Sequence, residues 1–271
     1  MAAPLLLQLV AWQAVASGNV AYLDLPLDRD YETIVIRGTA DTKTDANTVI
    51  DTVRVVVNGV AVRDLTVNEI RRLNAKYGSF YNSADLNQVT LNFREDWLWN
   101  HLGADALTLF THGLISVRLE VKLLGSLTNP ALGGYAVAKV QRAVEKGENR
   151  IRKTKIDTLD FAGAATKIFR NISPVGLVKA FDFYSSNNAV TQVKFRISGT
   201  EVFNLTKTQV DDLLAQNEQV GAANFFTLPF DLDGTYDAGL VADLIRETEL
   251  EVTTSAAANI KVIHQYYEAI A

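Results

Sequence analysis

Residues 53–73, VRVVVNGVAVRDLTVNEIRRL, align without a gap to residues 193–213, VKFRISGTEVFNLTKTQVDDL, at an offset of 140. This repeat constrains the fold more than any bulk property, because whatever the first copy forms, the second must form as well. Val53, Gly59, Val62, Leu65, Thr66 and Leu73 recur as Val193, Gly199, Val202, Leu205, Thr206 and Leu213. Val55, Val57 and Ile70 become Phe195, Ile197 and Val210, so the apolar pattern survives where identity does not. Val53, Val55 and Val57 alternate, which puts them on one face of a strand. Asn58-Gly59 and Ser198-Gly199 are tight-turn dipeptides, since glycine reaches positive φ at little cost. Thr66 with Glu69, and Thr206 with Gln209, have the spacing of a helix capping box. Ile70 and Leu73, like Val210 and Leu213, then fall three apart on one helix face. The repeated unit therefore reads as strand, turn, short strand, capped helix.

Weaker echoes extend the duplication in the same order: QVTLNF (88–93) with FFTLPF (225–230), VRLEVKLLG (117–125) with TELEVTTSA (248–256), and YETIVIRG (31–38) with LVKAFDFYS (177–185). Strand-like runs fall at 19–27, 32–38, 52–57, 88–93, 116–124 and 135–140. They recur at 166–172, 178–184, 192–197, 225–230, 249–253 and 260–267. Helix-like stretches are expected at 95–109 and 238–247. Short strands separated by turn signals indicate a β-sandwich or barrel. The chain length of 271 residues suffices for two such domains. The expected fold is all-β: two tandem eight-stranded jelly-roll β-sandwiches, a double jelly roll, with short helical excursions. The expected divisions are 1–144, a first jelly roll carrying an apolar N-terminal arm; 145–155, a basic linker; and 156–271, a second jelly roll.

Charge and termini narrow the partners. Residues 139–155 hold seven basic and two acidic side chains, a net +5, so the remainder of this −5 chain carries −10. That junction, including Arg150, Arg152, Lys153 and Lys155, reads either as a solvated linker or as a contact with phosphates of a lipid surface or of packaged nucleic acid. It lacks the interleaved aromatics that stack on bases, the mild acidity of the whole argues against a general nucleic-acid binder, and no sequence-specific nucleic-acid partner is expected. The arm at residues 3–16 is too short to span a bilayer, and no Lys or Arg precedes Arg29 to form the basic region of a signal peptide. It is expected to be an apolar arm or first strand that packs on a neighbour, with a membrane-touching arm as the alternative. The absence of cysteine excludes disulfides and thiolate metal sites.

The residues give little support to catalysis. His101, His112 and His264 form no metal-ligand spacing, and neither a nucleophile elbow nor a phosphate-binding loop occurs. Asp231, Asp233 and Asp237 cluster on a turn, but not at the spacing of a calcium loop. Paired carboxylates for glycan hydrolysis would have to be Asp231 with Asp233, or Glu95 with Asp96. Stacking platforms for a carbohydrate-binding module would be Trp97 and Trp99, which sit in a helix-like stretch where core packing is the stronger expectation. Arg71 and Arg72 fall on the first helix where Asp211 and Asp212 fall on the second. Two solvated helix faces explain this, and so does a ring in which one half of a subunit meets the opposite half of its neighbour.

Several segments resemble the major capsid proteins of tailless, internal-membrane-containing bacteriophages, the corticoviruses above all. They are SGN and LDLPLDRDYETIVIRG within 17–38, TVRVVVNG at 52–59, SPVGLVKAFDF at 173–183 and VKFRISGTEVFNL at 193–205. The similarity is collinear over almost the whole chain. The resemblance implies a non-enzymatic protein, made in the host cytoplasm and ending in the virion. It implies homotrimers of pseudo-hexagonal outline that contact neighbouring capsomers and vertex and minor capsid proteins in an icosahedral shell. It also implies an internal bilayer facing the base, where the arm and the basic junction are candidates. Calcium dependence in some relatives raises a cation site without mapping its ligands, and no other cofactor is expected.

Overall fold

The computed structural model describes residues 5–76, 86–95, 107–143, 150–170, 172, 174–217, 219–232, 239–242 and 247–269. The chain divides into two compact units, Met1–Ile151 with Ala269–Ala271, and Arg152–Glu268. In the first, β1 (Leu5–Gln8), β8 (Pro130–Val140), β3 (Arg29–Ala40) and β6 (Gln88–Asn92) form one sheet in that order. The second sheet is β2 (Val20–Asp24), β7 (Val117–Leu123), β4 (Ile50–Val57) and β5 (Val60–Thr66). The path alternates between the sheets except at the β4–β5 hairpin, which is the jelly-roll connectivity.

The second unit repeats this order. One sheet runs β9 (Arg150–Phe161), β17 (Ala258–Ala269), β11 (Leu177–Tyr184), β14 (Phe225–Pro229). The other runs β10 (Ala165–Arg170), β16 (Thr248–Thr254), β12 (Val190–Ile197), β13 (Thr200–Thr206). A two-residue strand, β15 (Leu240–Val241), adds to β11. It occupies part of the stretch read as a second helix at 238–247. Residues 96–106, 238 and 243–246 of the two expected helices lie outside the described residues.

The duplicated segment folds as its pattern dictates. Val53, Val55 and Val57 point into the core while Arg54 is exposed. Both turn dipeptides have positive φ at both positions, 50° and 80° at Asn58-Gly59, 48° and 80° at Ser198-Gly199, as a type I′ hairpin requires. The register then slips at the same place in each copy. Val55 faces Arg63 but Val56 faces Ala61, and Phe195 faces Phe203 but Arg196 faces Glu201. The extra residue of each bulge is Val62 or Val202, one of the identical pairs. Helix α1 (Val67–Lys76) starts on a capping box, with Thr66 N–H donating to Glu69 at 2.8 Å and Glu69 N–H to Thr66 Oγ1 at 3.3 Å. Helix α2 (Lys207–Gln216) does the same with Thr206 and Gln209, at 2.9 and 3.4 Å.

The cores differ in kind. The first is largely aliphatic, with Ile34, Ile36, Val53, Val55, Leu119 and Val121 buried. The second is built around Phe181, whose ring makes edge contacts with Phe195 at 5.7 Å, Phe230 at 5.4 Å and His264 at 4.7 Å.

One sequence expectation changes here. Residues 150–155, expected to end a basic linker, form the first half of β9, a twelve-residue edge strand. The run of charges hid the alternation that buries Leu159 and Phe161 further along. Of the two forms expected for the N-terminal segment, residues 5–8 take that of a first strand, β1, paired with β8 from Leu5 opposite Ala138 to Gln8 opposite Tyr135.

Candidate assembly surfaces

The four helix charges do not share one environment. Arg71 is 8% exposed, and its guanidinium donates to Asp45 at 2.9 Å, to the Gln88 carbonyl at 3.2 Å, and to the Leu86 carbonyl. It braces the approach to β6 and is no part of a solvated face. Asp211 is half-buried and paired with Lys207 one turn earlier. Arg72 and Asp212 are exposed. The opposite charges of the two halves are therefore most exposed at Arg72 and Asp212, Asp211 being engaged by Lys207.

The basic junction is similarly uneven. Arg150 is exposed. Lys153 pairs with Glu268 at 2.8 Å, and Lys155 with Asp157 at 3.4 Å. Arg152, expected to face a membrane, is 7% exposed and donates to Gln265 at 2.6 Å. A guanidinium so buried and so bonded is not available to a lipid headgroup.

Arg152 belongs to a buried polar chain that sequence reasoning missed. Gln265 on β17 donates to Asp182 on β11, and Thr227 on β14 donates to the other Asp182 oxygen at 2.5 Å. With Arg152 on β9, the chain crosses all four long strands of the sheet. Every polar group in it is buried. Its cue in the sequence was Asp182 between Phe181 and Phe183, on a strand whose two faces are both covered.

Among the remaining predicted residues, His112 is exposed, Glu95 is fully buried and Asp231 is 2% exposed. Asp96, Trp97, Trp99, His101, Asp233 and Asp237 lie outside the described residues. Among the described residues, no three His, Asp or Glu side chains converge as a cation site. His264 faces the core, with Nε2 2.9 Å from an Asp157 oxygen. Burial pushes its pKa down from the ordinary 6.5 to about 4, although the Asp157 carboxylate pulls the other way. The folded unit thus resists a proton that the unfolded chain accepts. Stability from this group is complete above pH 6.5 and is lost as pH falls towards 4, a change of about 3 kcal/mol. His264→Leu should flatten that acid slope in unfolding titrations. An unchanged slope would contradict the assignment.

Residues 6–141 match the viral coat protein P2 N-terminal domain, and residues 151–270 match the viral coat protein P2 C-terminal domain. The chain belongs to the viral coat protein P2 family. This coat protein is therefore a structural component of a virion shell and not an enzyme, and it assembles with copies of itself. Its fold is similar to that of the major capsid protein P2 from bacteriophage PM2, at 21% identity and a TM-score of 0.87, covering 99% of this chain and 98% of that one. It is also similar to the PBCV-1 virus capsid protein, at 11% identity and a TM-score of 0.68 over 98% and 93% of the two chains. The Faustovirus major capsid protein follows at 9% and 0.67, over 100% and 91%. No curated protein sequence matches the coat protein.

Proposed function

We propose that three copies of this coat protein form a capsomer of pseudo-hexagonal outline, and that such capsomers tile an icosahedral shell around an internal lipid membrane. The observation that carries this reading is the repeated topology: the β1-β8-β3-β6 and β2-β7-β4-β5 sheets recur strand for strand as β9-β17-β11-β14 and β10-β16-β12-β13. Three chains with two like halves present six similar edges, which suits a hexagonal lattice. A six-sided unit cannot occupy a five-fold position, so vertex and minor capsid proteins belong to the same proposal. The bilayer contact falls to the N-terminal arm, where Leu6 and Val10 are 73% and 77% exposed, and the exposed Arg150 is the charge candidate of the basic junction. Electron microscopy of the purified capsomer tests the reading. Six lobes with three-fold symmetry are expected, and a particle without them would contradict it.

A further inference from the structure

The outer face of each β2-type sheet carries a row of charges whose polarity is inverted between the halves. In the first half, Asp24 on β2 lies opposite Arg118 on β7, bonded at 2.7 and 3.2 Å. In the second, Arg170 on β10 lies opposite Glu249 on β16, 3.5 Å apart. The two pairs are equivalent by register. Arg118 faces Val56 and Glu249 faces Arg196, and Val56 and Arg196 are separated by the repeat offset of 140. Arg196 and Glu201 continue the second row, so it alternates plus, minus, plus, minus across four strands.

Neither fold requires this inversion. Both rows are paired within their own half, and their outer members stand in solvent, Asp24 and Arg118 at 55% and 42% and Arg170 at 75%, while Glu249 is partly covered at 25%. Exposed pairs of this kind add little stability whichever end carries the plus sign. The adjacent row keeps its polarity: Arg54 pairs with Glu120 as Lys194 pairs with Glu251. The inversion is thus confined to the row nearest the hairpin turns.

Beside this row, the second half has a cleft of about 330 Å³ lined by Arg170, Arg196, Ser198, Glu247 and Glu249. At the same end, the first half exposes Val60 at 63% and Ile115 at 85%, apolar area of the kind that interfaces cover.

Polarity inversion changes how a face meets another face. For any fixed geometry, a row that attracts its inverted twin repels its own copy. The exposed Arg72 and Asp212 carry single opposite charges and so favour unlike halves in any orientation. We infer that the Asp24–Arg118 and Arg170–Glu249 rows form a contact surface for a second copy of this chain, and that it selects the opposite half of that copy. The inference rests on the assembly reading above and adds the device that keeps two similar halves in alternation.

The test is a reversal series followed by sedimentation at about 50 mM and 1 M NaCl, with melting curves to check folding. Asp24→Arg with Arg118→Asp keeps the internal pair but gives both halves the same polarity. It should weaken self-association at low salt at least about tenfold. Adding Arg170→Asp, Glu249→Arg, Arg196→Glu and Glu201→Arg, which inverts the whole second row because Arg196 is paired with both Glu249 and Glu201, should restore it. The difference should fade at 1 M, where charges are screened beyond about 3 Å. The second-half row of four reversed alone should behave like the first. A folded double reversal that associates like the parent, or a six-substitution variant no better than the double, would overturn the inference alone. A parent that never self-associates would overturn it together with the assembly reading.

Discussion

Asp182→Ala is expected to destabilise the second half by about 3–5 kcal/mol, because it removes the carboxylate that anchors the chain linking Thr227, Gln265 and Arg152. The substitution leaves the Gln265 amide and the Thr227 hydroxyl without their acceptor, and both are buried. Unpaired buried donors keep their full desolvation cost, which exceeds the net gain of forming the bonds. Asp182→Asn retains one acceptor oxygen and should recover part of the loss. Hydrogen exchange in peptides from β9, β11, β14 and β17 would report it locally. If Asp182→Ala protects these strands as well as the parent does, the chain is not supporting the sheet.

Phe181→Ala should cost a similar amount, about 3–5 kcal/mol, by a different cause. Its ring touches Phe195, Phe230 and His264 with centroids within 5.7 Å, and it is fully buried. Truncation leaves a cavity that stiff aromatic neighbours fill poorly. Ile34 occupies the matching strand of the first half in an aliphatic core. Ile34→Val should cost only about 1 kcal/mol. Denaturant midpoints for the two variants would check the contrast, and equal shifts would contradict the picture of an aromatic hub.

The parts of this fold that follow local rules were legible in the sequence. The capping boxes at Thr66 and Thr206, the turns at Asn58-Gly59 and Ser198-Gly199, and the alternation along β4 and β12 depend on neighbours a few residues away. They appeared where the pattern put them. The repeated bulges at Val62 and Val202 were hidden in plain identities, since nothing in a valine announces an unpaired position. The β9 strand was lost because Arg150, Arg152, Lys153 and Lys155 obscure its alternation, and a charge run reads as a solvated segment. Arg152 is buried only because Gln265, more than a hundred residues later, accepts from it. Arg71 likewise looked like half of a surface pair until Asp45 and two carbonyls closed around it. Such long-range polar partners have no local signature. The inverted Asp24–Arg118 and Arg170–Glu249 rows needed the strand register before they could be compared at all.

The mass of the purified protein in solution, by light scattering after gel filtration at low salt, tests assembly into trimers most directly. A stable species of three times the 29.8 kDa chain is expected. A single 29.8 kDa species persisting at micromolar concentration would contradict it.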